Sequence, residues 1–116
     1  MSIIETEYVD VARRFANALM EGKFDVAHSL LSAEGQTQWS VDTLRHHYKE
    51  MLDYVEQPVT EIEVMDTLDA WAAKQPGDIG WAYVSMSGNG FVEAVAVVVQ
   101  SENSALKVRS IEWGRP

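Results

Sequence analysis

An α+β domain, with helices packed on one face of an antiparallel sheet, is the fold class this sequence predicts. Apolar residues recur at three- and four-residue steps through the first half of the chain. Through the second half they alternate in short runs broken by Gly, Pro and Asn. Helices followed by a run of strands pack as segregated layers, unlike the alternating order of a parallel sheet. With 116 residues and 47 % of them apolar, the chain suits a single globular domain over 1–116 and excludes wholesale disorder.

The first helix is expected from Ile3 to about Glu21. Ile4, Tyr8, Val11, Phe15, Ala18 and Leu19 share one stripe, with Asp10, Arg13 and Asn17 opposite. Gly22 ends it, because glycine tolerates the left-handed conformation found after helix C-termini. A short second helix turns Phe24, Ala27, Leu30 and Leu31 inward. Residues 32–39, with Gly35 and several small polar side chains, read as a loop. Ser40 then caps a third helix ending near Val55, whose stripe is Val41, Leu44, Tyr48, Met51, Leu52 and Val55. Pro58 terminates it.

Strand patterning begins at Val59, where Ile62 and Val64 alternate with Glu61 and Glu63. Pro76-Gly77 leads into a second strand, 79–87. Gly88-Asn89-Gly90 turns into a third, 91–100, and Glu102-Asn103-Ser104 into a fourth, 106–113. A turn at 89–90 pairs Met86 with Glu93; a turn at 102–103 pairs Val99 with Leu106 and Glu93 with Glu112. One face then carries Ala82, Val84, Met86, Glu93, Val95, Val97, Val99, Leu106, Val108, Ser110 and Glu112, and is assigned to the helices. The other carries Trp81, Tyr83, Ser85, Val92, Ala94, Ala96, Val98, Lys107, Arg109, Ile111 and Trp113. A bulge in the last strand would move its residues across. Because the third strand is apolar on both faces, the second face needs a cover. A homodimer anchored by Trp81, Tyr83, Ala94, Ala96, Arg109 and Trp113 would supply it, as would a loop around Trp71.

Nine basic residues against eighteen acidic ones give a net charge of −9. Such a surface repels nucleic-acid backbones and anionic membranes, and suits a cytoplasmic protein or one that meets a basic partner. The absence of cysteine excludes disulfides, thiolate nucleophiles and cysteine-ligated metals. No signal-peptide pattern opens the sequence, and the apolar run Ala94–Val99 is far short of the ~20 residues of a membrane span.

Glu93 and Glu112 interrupt an aliphatic face. Two carboxylates placed opposite each other would share protons and suit acid–base work or a cationic ligand. Their ordinary alternative is a solvent rim, or pairing with Arg14 or Arg115. His47, at the edge of the third helix's stripe near Tyr54, could act as a base with Asp66; its ordinary alternative is a half-buried packing ring. His46 and His47 diverge on the helix and do not make a metal site, and His28 reads as structural. Gly88-Asn89-Gly90 is a hairpin tip rather than a phosphate loop, and no nucleophile elbow is present.

The order of elements resembles the nuclear transport factor 2-like (cystatin-like α+β) superfamily. The residues that carry the resemblance are the first helix through its glycine exit, Phe15 to Ala27, the Leu30-Leu31 pair, and the closing strands with Glu93-Ala94-Val95. The resemblance implies three helices on a curved four-stranded sheet, a cone enclosing an apolar pocket, and dimers through the outer sheet. Such a pocket would be lined by Tyr48, Met51, Met86, Val95, Val97 and Val108. Enzymes of that superfamily carry an Asp–His pair or an Asp, Tyr and Arg set, which Asp66 with His47 approaches only loosely. The expectation is therefore a cofactor-free, metal-free dimeric module binding a small apolar ligand or serving a protein contact. The alternatives are a dehydratase or isomerase using these carboxylates, and an acidic immunity-type protein masking a basic toxin.

Overall fold

The computed structural model describes residues 3–114, with side chains from Glu7 to Gly114. The side chain of Ile4, assigned above to the first helix's stripe, and Arg115 lie outside the described residues. The elements run α1 (Ile3–Met20), α2 (Phe24–Ser29), α3 (Ala33–Gln38), α4 (Val41–Met51), β1 (Glu61–Leu68), β2 (Asp78–Gly88), β3 (Phe91–Glu102) and β4 (Ala105–Trp113). The strands form one antiparallel meander in the order β1-β2-β3-β4, with the helices on one face. This is the expected α+β class. The sheet is not strongly curled, and only α1 and α4 exceed seven residues.

Local chemistry accounts for the helix ends. Gly22, at φ +75°, donates to Leu19 O while Lys23 donates to Ala18 O, the paired bonds of a Schellman stop. The span read as a loop contains α3. Ser32 caps it by accepting from Gly35 N at 3.0 Å, and the Gln36 amide donates to the carbonyls of His28 and Leu31. Polar tethers of this kind leave no apolar period in the sequence. Ser40 caps α4 as expected, accepting from Thr43 N at 3.1 Å. The helix stops at Met51 rather than Val55, and 52–55 continue as single turns.

The core lies between the helices and one sheet face: Phe15, Leu19, Leu31 and Leu44 meet Val84, Met86, Val95, Val97, Val99 and Val108, all essentially fully buried. Tyr8 packs its ring on Gly80, where any added Cβ would lie 2.3 Å from a ring carbon. The β2–β3 register is the expected one, with Met86 opposite Glu93 and Gly88 opposite Phe91. Of its two turn residues, Gly90 has positive φ and Asn89 does not.

The β3–β4 register differs. The turn falls at Asn103-Ser104, both at positive φ, so Val99 pairs with Val108 rather than Leu106. That two-residue shift preserves the faces. A bulge at Arg109 then reverses them: Ile111 and Trp113 join Val97 and Val95 on the helix side, while Ser110 and Glu112 turn outward. The outward assignment of Ile111 and Trp113 is therefore corrected. A second bulge at Met65 carries Asp66 to the outer face, opposite Tyr83.

On that outer face Ala94, Ala96 and Val98 are 1–6 % exposed within the single chain. Their cross-strand neighbours explain it. Trp81 stands opposite Val98 and Tyr83 opposite Ala96, with the two rings stacked at 6.2 Å. Arg109 reaches across β3 to Asp78, Nε to Oδ1 and Nη2 to Oδ2 both at 2.7 Å. Small side chains beneath large flanking ones are covered without a second layer.

Candidate functional site

β4 ends four residues before it would cover the start of β3. Trp113 pairs with Val95 and Gly114 N donates to Ala94 O, so Glu93 lies beyond the last β4 rung. The C-terminal half of α4 passes over this end. The result is an open cleft of about 750 Å³ lined by His47, Glu50, Met51, Tyr83, Glu93, Trp113 and Gly114. Residues 47, 50, 51 and 54 lie on one helical stripe, which is why α4 and its extension present them together.

Its walls are aromatic. Trp113 stacks on His47 at 5.9 Å and 25°, and both meet Trp39 edge-on, at 6.0 and 4.9 Å. The Trp113 indole Nε1 is buried and finds no hydrogen-bond partner among the described residues. Tyr83 comes to the cleft from the outer face, where the neighbouring Ala94 and Ala96 leave room for its ring.

The acidic groups are of two kinds. Glu93 is 8 % exposed and accepts from the Tyr54 hydroxyl at 2.5 Å, whereas Tyr54 itself is 62 % exposed. Glu50 is on the solvent side, 2.6 Å from His46 Nε2. Beyond Tyr54, a smaller cleft of about 440 Å³ is lined by Gly90, Phe91 and Val92. Beneath α4, burial pushes the Tyr48 phenol up to about 12. Arg109, held by its hydrogen bonds to Asp78 against the cost of burial, is raised above its ordinary value.

The candidate residues separate. Glu93 lines the cleft, but Glu112 pairs with Ala96 and is exposed on the opposite face. The expected Glu93–Glu112 pair is thus not formed, because the shifted register and the Arg109 bulge put the two on different sides. Asp66 is exposed, its Oδ1 accepting from Thr67 N at 2.9 Å, and the Met65 bulge turns it away from the helices. His47 lies in the ring cluster on the helix side, so the Asp66–His47 pair does not assemble either. Of the residues expected to line an apolar pocket, Tyr48, Met86, Val95, Val97 and Val108 are core, and Met51 is the one that lines the cleft. Trp81, Tyr83, Ala94 and Ala96 are on the outer face as expected, with Arg109 bound to Asp78 there. Among the described residues no group of three or more His, Asp or Glu is arranged to hold a metal, and no helix is long and apolar enough to cross a membrane.

Sequence reading missed Glu50 as a lining residue and put Trp113 on the wrong face. The signal for Trp113 was present: Leu106, Val108, Ile111 and Trp113 alternate with one three-residue step, the mark of a bulge.

Comparison with protein-family models, curated proteins and solved structures yields no match for this chain. The class that stands is the one the fold defines, an α+β protein with N-terminal helices on a four-stranded antiparallel sheet.

Proposed function

We propose that this protein is a non-enzymatic binding module acting through the cleft between α4 and the β3–β4 end. One contrast carries the reading. Met86, Val95, Val97 and Val108 fill the space between the layers, whereas His47, Tyr83, Glu93 and Trp113 present rings and a carboxylate to an open space. An interior packed to this extent leaves recognition to the surface cleft. The separation of Glu93 from Glu112, and of Asp66 from His47, favours binding over the proton-transfer alternative.

A homodimer through the outer sheet face belongs to the same proposal. Its support is the uncovered Trp81–Tyr83 stack together with Leu68 and Val92, which are 39 % and 42 % exposed. The likeness to the nuclear transport factor 2-like superfamily is proposed at the level of element order only.

Native mass spectrometry of the protein isolated from its own cells tests both parts. A reproducible small mass on the wild type, lost in Tyr83→Leu, supports the cleft. A bare chain in both overturns it, and a bound protein partner moves the reading to the acidic masking role. The spectra also give the subunit count: two chains for the wild type and one for Trp81→Glu are expected, and a monomeric wild type removes the dimer.

A further inference from the structure

We infer that a second copy of this chain, seated on the outer sheet face, closes the outer mouth of the cleft, so that the complete binding site exists only in the dimer; the inference rests on the proposed dimer. Tyr83 belongs to two surfaces at once. Its ring lines the cleft together with Gly114, and it is also half of the Trp81–Tyr83 stack on the outer face. His47, Met51, Glu93 and Trp113 line the same cleft from the helix side. The cleft therefore runs around the short end of β4, from the helix layer to the outer face. Small residues make that passage. Past the Trp113–Val95 rung, Gly114 presents no side chain and donates to the carbonyl of Ala94, which offers only a methyl group. A partner that covers the aromatic stack thus also covers the mouth that Tyr83 borders.

The layout of the face fits its own copy. The middle strands present Trp81, Tyr83, Ala94, Ala96 and Val98, whereas the carboxylates Glu61, Glu63, Asp66 and Glu112 stand on the edge strands β1 and β4. An apolar centre inside a charged rim is the usual anatomy of a protein interface. Arg109, which crosses β3, is already paired with Asp78. A two-fold axis through the centre sets the apolar patch against itself, strands no charge and leaves the rim carboxylates in water. A four-stranded face also comes near the roughly 800 Å² per partner of a standard interface. A basic protein would meet these acids only at the rim, where charges alter the rate of association more than its strength. Closure has a consequence for binding. An occupant that touches both chains prefers the dimer, so occupant and second copy tighten one another by the same factor.

Photo-cross-linking of the intact chain tests the closure. Tyr83→p-benzoylphenylalanine puts a reactive ketone at the mouth of the cleft, and Trp81→p-benzoylphenylalanine puts one on the stack. Both should yield covalent dimers on irradiation, at concentrations where native mass spectrometry finds two chains. A covalent dimer from position 81 alone overturns the inference and spares the dimer, because the partner then stops short of the cleft. A dimer that cross-links from neither position uses another surface, and a monomeric wild type has no partner; either result removes the inference together with the dimer reading beneath it. Hydrogen exchange gives the same answer on the unsubstituted chain. The Gly114 amide, held to Ala94 O, should exchange about tenfold more slowly in the dimer than in the dilute monomer, while the Lys23 amide at the end of α1 serves as reference. No slowing at Gly114, or an equal slowing at both, overturns the closure. Trp81 is not among the described lining residues, yet Trp81→Glu should be monomeric and release any small mass that the wild type carries. A monomer that keeps the mass has a complete site by itself and overturns the inference.

Discussion

Asp78 shows how much of this fold depends on single polar contacts. Its side chain is fully buried and takes two hydrogen bonds from Arg109, itself 12 % exposed, and a third from Gln75 N at 2.9 Å. Removing one partner of such a pair strands the other charge, so Asp78→Asn should cost about 3 kcal/mol. Urea denaturation should show a lower midpoint at unchanged slope. Tyr48 gives a prediction in pH. Its folded phenol is pushed up to about 12 from an ordinary 10.0. Between those values the unfolded chain has released the proton and the folded chain has not, so stability is full below pH 10 and falls as pH rises toward 12. The loss should approach about 2 kcal/mol. Tyr48→Phe, which keeps the edge-on contact with Phe24, should lack that part of the slope in matched unfolding curves.

At the level of elements, the decisive features are places where regular pairing breaks. The β2–β3 hairpin was legible because Asn89-Gly90 marks the turn and β2 alternates cleanly up to it, although β3 is apolar on both faces. The fourth strand was only half legible. Its turn lies at Asn103-Ser104, with φ of 49° and 66°, a conformation that glycine adopts with less strain than serine. Ser104→Gly should therefore stabilise the protein by about 1 kcal/mol, readable as a raised urea midpoint. The Arg109 bulge decides the site. Without it Trp113 would face outward and Glu112 would stand on the helix side, whereas with it Trp113 stacks on His47 and walls the cleft. The α3 helix was illegible for a different reason: a Ser32 cap and Gln36 tethers hold it, and neither leaves a hydrophobic period.

For the whole molecule, charge and uncovered area set what it can associate with. Four strands about 4.8 Å apart and 8, 11, 12 and 9 residues long present roughly 600 Å² in projection, and more in accessible surface. That approaches the roughly 800 Å² per partner of a standard interface. Two copies carrying −9 each repel, so the proposed dimer should tighten with added salt. What the sequence by itself determined is the layer order, the helix stripes, the β2–β3 register and the net charge. Each follows from periodicity, turn chemistry or composition, which act over a few neighbouring residues. The side to which Asp66, Glu112 and Trp113 point, the capture of Arg109 by Asp78, and the meeting of His47 with Glu93 at one cleft were decided only in three dimensions. A single unpaired residue in a strand reverses every side chain after it, and the energy that selects such a bulge comes from core and partners distant in the chain.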